Sequence, residues 1–252
     1  MLILMELKKA SRNKGIIILS IVSVFLLLLL YFNYTNESSS VFEYRLCDIT
    51  NGVSFGILFY GMLFLTIWSS IIGVYLGNYD TNHKTIYNLI VLRGRYLPYI
   101  MKIISMFVLH FLFLITLSIL MGIMGILKCG WGNINIKTIM TQLIFMVFIG
   151  FCTSLLAFVI SILIQNSVIS NIIVIILLYI PTILGGQISV YLRYLNPMKY
   201  FEGKLDTIFL NIKGMENIHI KSGTFQNWYL IGGYILICMC ILSVVLRKRN
   251  YR

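Results

Sequence analysis

The sequence predicts an all-α integral membrane protein, and two observations support this fold class. Of its 252 residues, 59% are hydrophobic and only 11% are charged, whereas soluble proteins carry about 25% charged residues. The apolar residues are gathered into long runs, which suit helices that cross a hydrocarbon core of about 30 Å with about 20 residues each. Despite a net charge of +12, this composition excludes a soluble domain, a nucleic-acid-binding protein and a disordered chain.

Six segments are long and apolar enough to cross a membrane, so we expect one transmembrane domain over residues 1–252. The loop 187–227 is the longest piece outside the spans, and it is shorter than the roughly 50 residues of the smallest usual domain. The expected spans are Ile16–Asn33, Gly52–Gly77, Tyr99–Leu127, Ile139–Gln165, Val168–Gly186 and Trp228–Leu246.

The fourth and fifth spans follow each other almost directly. One helix through both would be far longer than a bilayer is thick. We therefore expect Gln165, Asn166 and Asn171 to mark a tight turn between two spans.

Lys and Arg are distributed unequally between the two sides of the expected spans. With the N-terminus inside, 12 fall in inner segments and 8 in outer segments, and the outer loop 187–227 spreads five of the eight over a long stretch. Because cytoplasmic loops are enriched in Lys and Arg, both termini are predicted to be cytoplasmic.

The spans contain few groups that could do chemistry. Lys102 lies close enough to a span end for its amine to reach the interface. His110 lies deep in a span, where it is either a proton or ligand site or, as we favour, a histidine packed against a neighbouring helix. The sequence has no phosphate loop, HExxH or GxSxG motif, so no nucleotide site or catalytic site is expected.

Small residues recur every four positions on the second span, at Ser69, Gly73 and Gly77. Such a face lets helix backbones approach closely. The pattern fits helix packing within one bundle, which we favour, or a seam between two protomers.

Two inner segments have helical patterns of their own. In Met1–Lys14, apolar Leu4 and Leu7 oppose polar Glu6 and Lys9, which indicates either an interfacial amphipathic helix or an ordinary basic flank. In Asn78–Pro98, the residues Ile86, Leu89 and Ile90 form a small apolar face before Arg93-Gly94-Arg95 ends the helix. The alternative for this second segment is a loop that dips into the headgroups.

This inner segment and the six-span pattern resemble the ABC-2-type transporter permeases. Those permeases carry Thr-hydrophobic-x-x-Leu, a small residue with Arg, and then Lys, and Thr85, Ile86, Leu89, Arg95 and Lys102 fill most of these places. The usual Pro-small-Arg element is replaced by Arg93-Gly94-Arg95, and the usual glutamate is absent unless Asp80 replaces it. Residues 195–201, LNPMKYF, resemble the stretch after the fifth span in this family.

The resemblance implies a permease subunit in a bacterial cytoplasmic membrane that binds a dimer of ABC ATPase subunits and a second permease, identical or related. ATP and Mg²⁺ would bind to the ATPase, and this chain would hold no cofactor or metal. Membrane lipid is an expected partner and nucleic acid is not. The implied ATPase-coupling residues are Lys84, Thr85, Ile86, Tyr87, Asn88, Leu89, Arg93 and Arg95.

The size and outer loop are similar to those of permeases that protect bacteria from lantibiotics and bacitracin-like peptides. Export or removal of a peptide antibiotic or another amphipathic compound is therefore the implied function. The alternatives are a non-transporting membrane scaffold or sensor that binds a cytoplasmic partner, and a stand-alone channel, which the scarcity of polar residues in the spans disfavours.

Overall fold

A computed structural model describes residues 2–36, 65–79, 90–91, 94, 96–129, 136–184 and 226–248. These residues are almost entirely helical, and no strand occurs among them. The all-α prediction is therefore confirmed for the described part of the chain. The helices are α1 (Leu2–Arg12), α2 (Lys14–Asn36), α3 (65–79), α4 (Leu97–Cys129), α5 (Ile136–Ile164), α6 (Ser167–Leu184) and α7 (Gln226–Lys248).

Three of these helices are long and apolar enough to cross a membrane, through the stretches Leu97–Leu120, Met146–Ile164 and Trp228–Arg247. Lys14–Leu26 and Ser167–Leu178 are shorter apolar helical stretches within the described part of the chain. The first half of the predicted span Gly52–Gly77 and the loop 187–227 lie outside the described residues. The prediction of a membrane protein is thus confirmed, and the count of six spans stays a prediction.

Helix α5 is the centre of the bundle. Its apolar stretch is 78% buried, against 28% for α4 and 22% for α7, and it packs against α4, α6 and α7. The main core cluster joins residues of α5 such as Phe151, Leu155 and Phe158 to Ile72 of α3 and Leu242 of α7. A helix that is apolar all round is one that other helices surround.

The ends of four helices meet at one end of the bundle. Ala10 of α1, Ile16 of α2, Tyr99 of α4 and Leu246 of α7 belong to the same core cluster. Asn13 separates α1 from α2, and its Oδ1 accepts a hydrogen bond from the Ile16 amide at 3.2 Å. Asn is a favoured residue at a helix N-cap. Asn13 is therefore the residue at which α1 has ended and α2 starts.

The predicted tight turn between α5 and α6 is present at Gln165 and Asn166. Gln165 has φ of 59°, and its amide donates to Ser161 O at 2.9 Å, which ends α5 in the left-handed conformation of a helix C-terminus. Asn166 Oδ1 then accepts from the amides of Val168 and Ile169 at 3.0 and 3.2 Å. Asn171 was wrongly expected to mark the turn, because it lies inside α6.

The geometry of this turn predicts that substitutions at Asn166 and Gln165 have opposite effects on the stability of the protein. Asn166→Ala should destabilise the protein by about 1 kcal/mol because it removes the N-cap of α6. Gln165→Gly should be neutral or stabilising, since glycine adopts positive φ without the penalty of roughly 1–2 kcal/mol that other residues incur. Thermal unfolding of the two variants in mild detergent measures both. Equal destabilisation by both variants would contradict the turn geometry.

Candidate functional site

A buried ionic cluster lies at the end of the bundle where α1, α3 and α4 meet. Glu6 is the only acidic residue in the described part of the chain. Its Oε1 lies 2.7 Å from Lys9 Nζ and its Oε2 lies 3.9 Å from Lys102 Nζ. Lys102 is 1% exposed, and its ammonium donates to Leu76 O of α3 at 2.6 Å. The cluster therefore connects α1 to α3 and α4 at once.

The position of Lys102 corrects the expectation that its amine reaches the interface. The ammonium points into the bundle, where a charge is costly unless it is paired and hydrogen-bonded. The Leu76 carbonyl, in the last described turn of α3, and the Glu6 carboxylate supply those partners. A cation near the C-terminal end of a helix is also favoured by the helix dipole.

Helix α1 turns Glu6 toward the bundle, a residue that the sequence pattern places opposite Leu4 and Leu7 in an interfacial helix or a basic flank. Glu6 is 6% exposed, whereas Leu4 is 70% exposed. Lys9 Nζ lies 5.5 Å from the centre of the Tyr79 ring, and Tyr75 OH donates to Lys9 O at 3.4 Å. The exposed Leu4 suits a helix whose apolar side contacts lipid.

All eight predicted ATPase-coupling residues lie outside the described part of the chain: Lys84, Thr85, Ile86, Tyr87, Asn88, Leu89, Arg93 and Arg95. What is described is the end of this segment. Gly94 has φ of 81° and its amide donates to Ile90 O at 2.9 Å, which is a left-handed helix cap that glycine favours. The helical residues at 90–91 therefore end at Gly94, in the place that the sequence indicates.

Ile90 does not share the role expected for Ile86 and Leu89. It is partly buried and packs against the main core cluster, whereas its neighbour Val91 is 66% exposed. Ile90 is therefore a contact of this segment with the bundle. Of the predicted apolar face of Ile86, Leu89 and Ile90, Ile90 is thus covered by the bundle itself.

The small residues of α3 lie against α5 of the same chain. A Cβ at Gly73 would overlap Ser154 O and come within 2.8 Å of Ala157 Cβ. A Cβ at Gly77 would overlap Ser161 Oγ. At Gly73 the obstacle is the α5 backbone, and at Gly77 it is the Ser161 side chain. The two helices thus approach closely, which is the geometry that small residues four apart allow.

Ser69, the third small residue of α3, hydrogen-bonds to His110. His110 Nδ1 lies 2.7 Å from Met106 O and its Nε2 lies 2.8 Å from Ser69 Oγ. Because a carbonyl only accepts, Nδ1 carries the hydrogen of a neutral ring and Nε2 accepts from the serine hydroxyl. A Cβ at Gly150 would lie 2.6 Å from the ring. His110 is therefore the packed, hydrogen-bonded histidine that we favoured.

Trp68 extends this polar contact into an aromatic cluster. Its ring lies edge-on to His110 at 5.1 Å and stacks on Phe113 at 3.9 Å between centroids. Its Nε1 donates to Ser20 Oγ of α2 at 2.8 Å. The sequence pattern does not indicate this cluster, which joins α2, α3 and α4 through two ring contacts and one hydrogen bond of Trp68.

The described residues offer little for catalysis or metal binding. Within the part of the chain that the structure describes, no three His, Cys, Asp or Glu side chains could hold one metal ion. Cys152 and Cys238 are buried free thiols, and Cys240 is an exposed one. The ionic cluster has a structural role, since it holds α1, α3 and α4 together.

Apolar helices around a central helix, with paired charges at one end, define an integral membrane protein whose described polar contacts hold its helices together. The family model described as "ABC-2 family transporter protein" matches residues 2–181, which is most of the chain. The chain therefore belongs to this family and is a membrane permease of the ABC transporter type. Comparison with curated proteins found no match.

Membership of this family implies association with an ABC ATPase, and its members are permeases rather than enzymes. The match begins in α1 and ends within α6. It therefore includes all three components of the ionic cluster and the whole contact between α3 and α5.

The contact between α3 and α5 can be tested with four alanine substitutions. Gly73→Ala should destabilise the protein by about 1–3 kcal/mol, because its methyl group meets backbone oxygen that cannot move aside. Gly77→Ala should be rescued in part by Ser161→Ala, which removes the overlapping hydroxyl. Gly232→Ala is the matched control, since a Cβ there meets nothing within 4 Å. Thermal unfolding in detergent measures all four, and equal effects at 73 and 232 would contradict the contact.

The ionic cluster predicts coupling between two residues that are far apart in sequence. Lys102→Met should destabilise the protein by about 3–5 kcal/mol because it leaves the buried Glu6 without one of its two cations. Glu6→Gln should also destabilise it, and the double variant should be more stable than the sum of the two effects indicates. A double-mutant cycle in detergent measures this coupling.

The exposed Lys8 on the same helix provides the control, and Lys8→Met should change stability by no more than about 0.5 kcal/mol. Strict additivity of Glu6→Gln and Lys102→Met would show that the two side chains do not interact.

Proposed function

We propose that this chain is a six-span permease subunit driven by a separate dimer of ABC ATPase subunits, which bind the ATP and Mg²⁺. It pairs with a second permease, identical or related, in a bacterial cytoplasmic membrane. Its cargo is an amphipathic compound, with peptide antibiotics of the lantibiotic or bacitracin type as the leading candidates. Removal of such a compound from the membrane protects the cell.

The observation that carries this proposal is the position of the ionic cluster. Lys102 lies at the start of α4, Leu76 lies near the end of α3, and the segment between these two helices contains the proposed coupling residues. Glu6 adds α1 to the same contact. A force that an ATPase exerts on this segment therefore reaches α1, α3 and α4 together.

From α3, displacement passes to the centre of the bundle. Gly73 and Gly77 lie in backbone contact with α5, and α5 packs against α4, α6 and α7. Close-packed helices transmit displacement because their interiors have low compressibility. This route supports ATP-driven movement of the spans without any ionisable relay within them.

The distribution of basic residues supports a cytoplasmic position for this end of the bundle. Lys and Arg are enriched on the cytoplasmic side of membrane proteins. At the opposite end, the described helices carry Lys128 and Lys137. The basic residues of the described helices near the ionic cluster are Lys8, Lys9, Arg12, Lys14, Lys102, Arg247 and Lys248.

Charge substitutions on the coupling segment test this proposal. Ile86→Asp and Leu89→Asp should each reduce copurification of the ATPase and abolish transport when combined, because a carboxylate placed against an apolar cleft costs a few kcal/mol. Val91→Asp is the matched control, since Val91 is exposed and lies on another side of the same helical pattern. Insertion should be normal in all three.

The measurements are affinity purification in mild detergent, identification of the copurified subunits and survival of cells exposed to a lantibiotic. If the double variant keeps its ATPase and still protects cells, the segment is not the coupling element. If the wild-type chain keeps an ATPase but neither exports nor removes any amphipathic compound, it is a scaffold or sensor, and the transport proposal fails.

A further inference from the structure

A basic pocket of about 780 Å³ opens at the bend between α1 and α2. We define the basic pocket by Lys8, Lys9, Arg12 and Lys14, with Tyr75 and Tyr79 of α3 as its aromatic wall. It lies where α1 leaves the core and α2 begins its apolar run. Among the described residues, those that form the contact between α3 and α5 do not line it.

The positive charge of this pocket is not neutralised by the ionic cluster. Glu6 is the only acid in the part of the chain that the structure describes, and its carboxylate contacts Lys9 and Lys102. Lys8, Arg12 and Lys14 are all exposed, and Glu6 forms no ion pair with them. Among the described residues, the pocket therefore has a surplus of positive charge that faces outward.

An exposed apolar track leads away from the pocket along α2. Ile18, Ile21 and Phe25 are 60%, 63% and 60% exposed, and they follow Lys14 by four, seven and eleven residues. This spacing places all four on one face of the helix. In a membrane protein such a face contacts acyl chains, and a lysine at its end directs its amine toward the headgroups.

We propose that the basic pocket binds the phosphate of an anionic phospholipid whose acyl chains lie along Ile18, Ile21 and Phe25. Basic pockets at the ends of membrane helices recognise anionic headgroups through their phosphates. The Arg12 guanidinium can donate two hydrogen bonds to one phosphate, and tyrosines are enriched at the level of the headgroups. An acidic protein surface would match the charge of the pocket but would leave the apolar track unexplained.

The experiment uses the full chain, reconstituted in nanodiscs of equimolar phosphatidylglycerol and phosphatidylcholine and then released into mild detergent. Native mass spectrometry counts the lipids that stay bound. The wild-type chain should retain phosphatidylglycerol in preference to phosphatidylcholine. Arg12→Gln with Lys14→Gln should reduce that preference on the order of tenfold, since each basic residue near a membrane surface contributes several-fold to binding of anionic lipid.

Two further variants make the result specific. Arg247→Gln with Lys248→Gln removes the same charge at the same end of the bundle but outside the pocket, and should keep the preference. Arg12→Lys with Lys14→Arg keeps the charge and should keep most of the preference. Monodisperse elution of every variant in size-exclusion chromatography shows that each is folded.

Three results would overturn the proposal. Equal loss of the preference in the 12/14 and 247/248 variants would show that net charge alone attracts the lipid. Displacement of the lipid by inorganic phosphate as effectively as by added phosphatidylglycerol would show a site for free phosphate. Loss of a copurified ATPase in the 12/14 variant, with the lipid preference unchanged, would show that the pocket contacts protein.

Discussion

The arrangement of this end of the bundle depends on the burial of one ammonium group. Lys102 is 1% exposed, and a buried ammonium requires both a hydrogen-bond acceptor and an opposite charge. The acceptor is Leu76 O, so α3 and α4 must stay in register at this level. The charge comes from Glu6, so α1 must fold back over the two helices. The bend at Asn13, which ends α1 and starts α2, permits that return.

A second constraint is steric. Gly73 brings α3 against the backbone of α5, and Gly77 brings it against the Ser161 side chain, so a Cβ at either position overlaps α5. The ionic cluster and this contact lie on the same helix, because Leu76 sits between the two glycines. Helix α3 is therefore fixed by charge toward α4 and by shape toward α5. It is the element through which a change at one end of the bundle reaches the central helix.

The parts of the fold that the sequence predicted well are those governed by local rules. The turn at Gln165 and Asn166, the cap at Gly94 and the small-residue spacing on α3 each depend on residues within a few positions of one another. The pairing of Glu6 with Lys102 joins residues 96 positions apart in sequence, and no local pattern indicates it. The only indication of this pairing in the sequence is that Glu6 is the single acidic residue among the basic residues of α1.

The orientation of α1 also depends on a partner that is distant in sequence. In a soluble protein, the polar residues of an amphipathic helix face water. An interfacial helix has lipid on one side. A buried ion pair can therefore direct a polar residue of such a helix toward the protein. Once Glu6 is held between Lys9 and Lys102, the other bases of α1 and Lys14 have no intramolecular acid to meet in the described chain. Their charge is then directed outward at the level where α2 enters its apolar run. One acidic residue thereby separates the bases that hold the bundle together from those that are exposed on its outside.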